Sequence, residues 1–534
     1  MSLRKDSRRP AASKLGRLRG PTAGAPPFGR VLVANRGEIA LRIIRACHDV
    51  GCEAVAVYSD ADADARHVRA ADAAVNIGAP AAAASYLRVA AIIEAARQTG
   101  AHAIHPGYGF LSEQPALAEA CAAAGIVFVG PSPQTLAGLG DKLAARRTAA
   151  TVGVPIVPGM FEPLRLEGAG WQAGLEAAAA TVGFPLLVKA AAGGGGRGMR
   201  RVDTADEMAG AAASASGEAA ASFGDGAVYL ERLVERARHV EVQLLGDASG
   251  SIVALGERDC SVQRRHQKLV EEAPAPGLTP ARRAELHDLA TRIAGAVGLT
   301  NAATAEFLLA PTGEFWFLEV NARLQVEHGV TELVSGLDIV AEQLWIAAGR
   351  TLSQSVREAA AGATRPDRHA IEVRISAEDP ARDFSPTPGR LTRWREPTGP
   401  GIRVDSGVEQ GSVVSAHYDP LLAKLLTVGS DRASALEQMR QALRTFDIGG
   451  LQTTLPFHRW LLEQPGFTDA TALSTELVGQ TWQPAPIVSA AGLRAAEAAV
   501  RASREPAPRP TTTDDPHALA WWQAGIDDSL EQRL

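Results

Sequence analysis

Six residues in one short stretch could do chemistry together: Glu306, Glu319, Asn321, Arg323, Gln325 and Glu327, all within ATAEFLLAPTGEFWFLEVNARLQVEHGVTE, residues 303–332. Two apolar segments flank Pro311-Thr312-Gly313, which predicts a hairpin. Side chains two apart on a strand share a face. Phe315, Phe317, Glu319, Asn321 and Arg323 are therefore expected on one side, and Trp316, Leu318 and Val320 on the other, with Glu306 opposite at matching depth. Two carboxylates held close repel unless protons or cations intervene. An oxygen-rich pair of this kind suits Mg²⁺, whose shell is completed by waters and phosphate oxygens. Arg323, Gln325 and Glu327 add a fixed cation, an amide and a third carboxylate. A structural ion network in a core hairpin is the alternative use of the same residues.

Two further stretches fit an anionic ligand. In FPLLVKAAAGGGGRGMRRV, Lys189 sits on an expected strand that runs into Gly193–Gly196 and Arg197. Glycines let backbone N–H groups wrap phosphate oxygens. The P-loop pattern is absent, because here the lysine precedes the glycines. Four consecutive glycines lose too much chain entropy to make a plain turn, so a lid over a nucleotide is expected. In ERDCSVQRRHQKLVEEAPAP, Gln263, Arg264, Arg265, His266 and Lys268 crowd into six residues. A run like that is either a solvated face or a seat for an anion. Glu231 to Val234 could form a hinge beside an adenine edge, and Lys142 stands near a helix start. His105, Tyr108 and Glu113 lie in a polar, glycine-containing loop after a strand.

Usage of the basic residues sharpens this. The chain has six lysines (Lys5, Lys14, Lys142, Lys189, Lys268, Lys424) against 48 arginines. A lysine retained in the interior marks a need for a compact ammonium that guanidinium cannot meet, or chance survival. Lys189 and Lys268, inside polar or glycine-rich motifs, favour the former.

The elements that must position these groups follow from the pattern. The chain has 534 residues, 46% apolar and 21% charged, enough for three or four domains. Net charge of −6 argues against a wholesale nucleic-acid binder. No apolar run is long enough to cross a membrane, and none resembles a secretion signal. Cys47, Cys52, Cys121 and Cys260 form neither a zinc pattern nor a disulfide framework, which fits a reducing cytoplasm. Residues 1–28 are expected to be a disordered leader. From Arg30, strands alternate with helices, predicting an open parallel sheet over 29–141 without the GxGxxG dinucleotide fingerprint. A second α/β domain is expected over 142–350, with its lid at about 160–233. A polar linker at 351–368 and a compact α+β domain over 365–482 come next. A helical tail, 483–534, contains Trp521 and Trp522.

Taken together, VLVANRGEIA, HPGYGFLSE, KAAAGGGGRGMR, ERDCSVQRRHQKLVEEAPAP, FLEVNARLQVEHGVTE, RISAED and PTPGR resemble biotin carboxylase, the ATP-grasp component of biotin-dependent carboxylases. The run EQLWIAAG and the Ala-rich tail look most like acyl-CoA carboxylase α-subunits. The resemblance implies an α/β fold with a parallel-sheet N-terminal domain, a central ATP-grasp domain with a glycine-rich lid, and a C-terminal α+β domain. It implies ATP contacts at Lys142, Lys189, Gly194, Gly195, Gly196, Glu231, Val234, His239, Gln263, His266 and Glu306. Lys268 would lie against the transferred phosphate. Glu306, Glu319 and Asn321 would hold Mg²⁺ or Mn²⁺. Arg323, Gln325 and Val326 would bind bicarbonate, Glu327 would be the general base, and Arg374 and Tyr108 would meet biotin. No lysine lies between two methionines as in the family's carrier, so biotin is expected on a separate carrier protein or on a region beyond this sequence. A carboxyltransferase subunit and a homodimer are the other implied partners. Two residues depart from the family pattern: Ala322 stands where Thr is usual, and Gly329 where Pro is usual. Ala322 is expected to point away from Glu319, and Gly329 to relax the backbone beyond Glu327.

Overall fold

Near the N-terminus, the apolar strands β1 (Arg30–Val33), β2 (Glu53–Ser59), β3 (Ala73–Gly78), β4 (Ala103–His105) and β5 (Val127–Phe128) make a parallel sheet in the order β3-β2-β1-β4-β5. Val31, Leu32 and Val33 are wholly buried, as a strand covered by helices on both faces requires. The computed structural model describes residues 25–167, 170–191 and 198–483, together with Leu18. The leader up to residue 24, the lid glycines Gly194, Gly195 and Gly196, and the tail from 484 onward lie outside those residues. The loop after β4 is pinned by Asn35, whose amide donates to the carbonyls of Pro106 and Tyr108, both at 2.7 Å.

A three-stranded sheet follows, with β6 (Leu186–Ala190) between β7 (Met199–Val202) and β8 (Val228–Arg232). The largest sheet is built from β9 (Arg238–Gly246), β10 (Ile252–Arg264), β11 (Gln267–Ala273), β12 (Asn301–Leu309), β13 (Phe315–Asn321) and β14 (His369–Ser376), with the strands Ile402–Ser406 and Leu421–Gly429. Its order is β13-β12-β9-β10-β11-β14, then Leu421–Gly429, then Ile402–Ser406. Beyond residue 365, short strands pair among themselves in three two-stranded sheets, but the long strands His369–Ser376, Leu421–Gly429 and Ile402–Ser406 do not form a sheet of their own. They extend the sheet of the preceding segment, with Glu271 of β11 directly opposite Glu372 of β14.

Alternation gives the β9–β12 part of this sheet two unlike faces. Val240, Val242 and Leu244 of β9 and Ala303, Ala305 and Phe307 of β12 share a core with Leu286, Leu289 and Ile293 of the helix Pro280–Ala296. His239, Glu241, Gln243, Thr304 and Glu306 are left on the other face.

Three expectations need correction. Phe315 and Phe317 do not share a face with Glu319. A bulge shifts the register, so that Glu306 faces Glu319 while Phe307 faces Phe317. The extra residue sends Phe315 and Phe317 into the core with Val320 and Ala322, and turns Glu319 to the polar face. Ala322 points away from Glu319, as expected. The polar linker 351–368 contains a helix, Gln354–Gly362, capped by the Ser353 hydroxyl accepting from Val356 N–H and anchored by buried Val356. Nor does Gly329 leave open space beyond Glu327. A Cβ there would lie 2.5 Å from Leu426 Cδ2 and 3.2 Å from Glu372 Oε2, so neighbours already fill the space that glycine leaves.

Glu342, on the helix Ile339–Ala347, accepts from the Ser353 hydroxyl at 2.8 Å. Burial and the nearby Asp338 carboxylate raise its pKa to about 7, against the smaller opposing effect of the Ser353 bond. A carboxyl whose folded pKa exceeds its unfolded value loses stabilising effect as pH rises through the folded value. Glu342→Gln keeps the acceptor and cannot ionise. Its advantage in thermal unfolding should be negligible at about pH 4, grow as pH rises from the unfolded value through the folded one, and reach about 3 kcal/mol by about pH 8. A difference in Tm that does not change with pH would refute this.

Candidate active site

On the polar face, opposite residues on four adjacent strands line up as Glu319, Glu306, Glu241 and Arg258. Three carboxylates in one row need cations close by. Lys268 supplies one: its Nζ donates to Glu241 at 2.5 Å, to Glu306 at 3.1 Å and to Glu327 at 2.7 Å. It reaches them because β11 is irregular opposite β10. Val270 pairs with Val262 and Lys268 with Gln263, so Leu269 is the extra residue and Lys268 comes out on the polar face. Arg258 supplies another, donating to Glu241 at 2.6 Å, to Gln243 at 2.8 Å and to the hydroxyls of Thr331 and Thr304. His239 Nε2 lies 2.9 Å from Glu306 Oε2.

Glu327 is wholly buried where β13 gives way to the helix His328–Ser335. Its carboxylate meets Lys268 on one oxygen and Arg374 at 3.0 Å on the other. Burial alone would raise its pKa, but Lys268, Arg374 and Arg258 outweigh burial and hold it well below the usual carboxylate range. Glu306 is also held low: Lys268 and His239 overcome its burial. The same carboxylates hold the Lys268 ammonium well above its ordinary pKa despite burial. Arg374 is gripped from its other side by Glu271 at 2.6 Å. Burial pushes Glu271 up to about 7, even with Arg374 beside it.

Arg323 donates to Gln325 and Asn321, each at 3.0 Å, and lies 2.9 Å from Glu113. Gln325 and Asn321 in turn donate to Glu306 at 3.2 and 2.8 Å. Tyr108 donates its hydroxyl to Glu38. On the smaller sheet, Lys189 donates to Glu231 at 2.6 Å, and the buried Arg146 binds the same carboxylate. Lys142 opens the helix Lys142–Thr151; burial lowers its pKa, while Glu319 and Glu231 oppose that. Leu233 and Val234 follow β8 as half-buried chain. Gln263 is buried, and His266 is exposed at the β10–β11 turn with φ +66°.

Lys268, His239, Glu306, Glu319, Asn321, Arg323, Gln325, Glu327 and Arg374 thus come together, while Lys142, Lys189 and Glu231 form a second charged group. Glu241, Arg258 and Glu271 were not singled out in the sequence. Glu241 was legible there, because HVEVQL, residues 239–244, alternates and carries it on one face with His239.

The donor set fits a hard divalent cation. Glu306 and Glu319 stand directly opposite, Asn321 adds an amide oxygen, and among the described residues Glu319 accepts no side-chain hydrogen bond. His239, Glu241 and Glu306 also bring ligand atoms within 4.8 Å of one another. Glu241, however, is already taken by Arg258 and Lys268. Lys268→Met leaves three buried carboxylates short of a cation, and should destabilise the protein by about 3–5 kcal/mol. Mg²⁺ should raise Tm more in this variant than in the parent; equal shifts would show that Lys268 does not compensate the metal-binding carboxylates.

Comparison with known proteins follows the same layout. Family models match the chain as "Biotin carboxylase, N-terminal domain" over residues 27–136, "Carbamoyl-phosphate synthase L chain, ATP binding domain" over 141–355, and "Biotin carboxylase C-terminal domain" over 372–480. The chain is 48% identical to a biotin carboxylase of Nostoc sp., over 84% of this chain and 98% of that one. It is 46% identical to the biotin-dependent acyl-coenzyme A carboxylase alpha3 subunit of Mycobacterium leprae, over 85% and 75%. Among solved structures, the Campylobacter jejuni biotin carboxylase–β-γ-ATP complex is similar at a TM-score of 0.80 and 42% identity, over 85% and 99%. The biotin carboxylase domain dimer of Hydrogenobacter thermophilus 2-oxoglutarate carboxylase, with MgADP, ADP and bicarbonate, matches at 0.80 and 40%, over 85% and 97%.

Proposed function

The chain belongs to the biotin carboxylase family, whose members are ATP-dependent ligases, and from that premise we propose how its own residues carry out the reaction. ATP, bicarbonate and biotin presented by a carrier protein give N1-carboxybiotin, ADP and phosphate. The observation that carries the assignment is the grip of Lys268 on Glu241, Glu306 and Glu327 at once.

Glu306, Glu319 and Asn321 would hold Mg²⁺, which when bound offsets charge on the phosphate oxygens. Lys189, Lys142, Glu231 and Val234 would meet the nucleotide, with Gly194, Gly195 and Gly196 as its lid. Arg323, Gln325 and the backbone of Val326 bind bicarbonate, and Glu327 takes its proton. Glu327 is a weak base while Lys268 and Arg374 both hold it. An incoming phosphate draws Lys268 away from the carboxylates, so the proton affinity of Glu327 rises as the phosphoryl acceptor must be deprotonated. The bicarbonate oxygen attacks the γ-phosphorus and ADP leaves, giving carboxyphosphate. That intermediate breaks to CO₂ and phosphate, the phosphate accepts the ureido proton of biotin, and Arg374 stabilises the resulting oxyanion while N1 attacks CO₂.

The likeness to the Mycobacterium leprae subunit supports an acyl-CoA carboxylase as the whole enzyme, with carrier and carboxyltransferase partners. The Hydrogenobacter dimer supports a homodimer. The matched ranges support domains at 29–141, 142–350 and 365–482. Four buried, unpaired cysteines support the cytoplasm, and among the described residues no helix is long and apolar enough to cross a membrane.

ADP release should require bicarbonate and be stimulated by free biotin, and Glu327→Gln should lower it about a hundredfold or more. Turnover indifferent to biotin would instead favour another bicarbonate-phosphorylating ligase, to which the name of the central family model points. No turnover would favour a nucleotide-binding scaffold.

A further inference from the structure

Four lysines fall among the described residues, and the first three (Lys142, Lys189, Lys268) stand in the site already described. The fourth, Lys424, has no exposed surface at all. It lies on the strand Leu421–Gly429 directly opposite Arg374 of β14, so the two cations share a face of the sheet. Arg374 holds the Glu327 side chain. Lys424 Nζ donates to the carbonyl of Val326, the residue before it, at 2.8 Å. Two neighbouring cations thus grip one short segment, one by its carboxylate and one by its backbone.

Lys424 is itself held from elsewhere. Its Nζ lies 3.4 Å from Glu38 Oε1 and 4.0 Å from Asp405. Glu38 opens the first helix of the N-terminal domain, Gly37–Asp49, and accepts the Tyr108 hydroxyl. Asp405 is fixed by Arg403 at 2.7 Å. Glu38, Glu372 and Asp405 together raise the pKa of Lys424 in spite of its burial. Tyr108, Glu38, Lys424 and Val326 therefore form a polar chain from the N-terminal domain, through the C-terminal strand, to the segment carrying Arg323, Gln325 and Glu327.

We propose that Lys424 is a positioning residue for bicarbonate: it fixes the Val326–Glu327 peptide, with Glu38 holding it in place. This rests on the functional reading above. A compact ammonium suits the place, because a guanidinium would bring a rigid plane of five donors into a space with no exposed surface, where one carbonyl at 2.8 Å and carboxylates at 3.4 and 4.0 Å converge on a single point. In a chain that uses arginine almost everywhere else, lysine is retained here.

The test is steady-state ADP release with bicarbonate and ATP varied separately. Lys424→Met should raise KM for bicarbonate about tenfold or more, the effect of losing one hydrogen bond from a charged donor, and leave KM for ATP within about twofold. Lys424→Arg should not restore the bicarbonate KM. Glu38→Gln keeps the shape and loosens the hold on Lys424, so it should move the same constant in the same direction by less, and it decides the matter if Lys424→Met does not fold. Parallel rises in both KM values, or an unchanged bicarbonate KM in a folded variant, would overturn the proposal. A parent protein without bicarbonate-dependent turnover would overturn the functional reading first, and this inference with it.

Discussion

Like charges held against their repulsion are the constraint on which this site depends. Glu319, Glu306 and Glu241 sit abreast on neighbouring strands, with Glu327 beyond them, in an interior where bringing two anions together is far more costly than in water. Lys268, Arg258 and Arg374 are interleaved among them, and the carboxyls of Glu306 and Glu327 are held below the usual carboxylate range. Buried ion networks give little net stability, since the desolvation cost nearly cancels the attraction. What the network does supply is a place where positive charge is wanted and is only partly provided. A metal ion and a phosphoryl group with its own cations fit such a place, and each rearrangement of Lys268 changes the proton affinity of the carboxylates it leaves.

Irregular strands are how the fold assembles this row. Strict alternation would have put Glu319 with the phenylalanines, and Lys268 with Val262 and Val270 in the apolar layer. One extra residue near Leu318 and another at Leu269 turn both functional side chains onto the polar face while the apolar neighbours stay buried. Bulges interrupt ladder hydrogen bonding and twist the strand locally, a cost accepted where a side chain must be re-aimed. The two bulges flank the carboxylate row from opposite sides.

This explains what was legible in the sequence. The residue types were: Glu306, Glu319, Asn321, Arg323, Gln325, Glu327 and Lys268 were all picked out, and the structure brings them together. The parallel N-terminal sheet followed from alternating strands and helices. The facing of Phe315 and Phe317 failed because period two cannot announce a bulge. The helix at Gln354–Gly362 escaped because its polar composition hides a single anchoring valine and a serine cap. Gly329 looked like slack because a sequence shows the missing side chain but not Leu426, distant in the chain, which fills its place.

Lysine economy draws these threads together. An arginine fork suits a planar, paired partner, and Arg403 meets both oxygens of Asp405 in that way, while Arg258 and Arg374 spread their donors over several fixed acceptors. Lys268 instead meets three separate carboxylates, a geometry for a small ammonium with three rotatable donors. Lys424 meets one carbonyl in a fully enclosed space. Both are places where the cation must be compact, and in the first it must also be able to leave. A guanidinium at 268 would bind its carboxylates in a fixed plane and resist transfer to a phosphate. The residue that holds the acidic row together therefore has to be one whose grip is strong in sum and weak in direction.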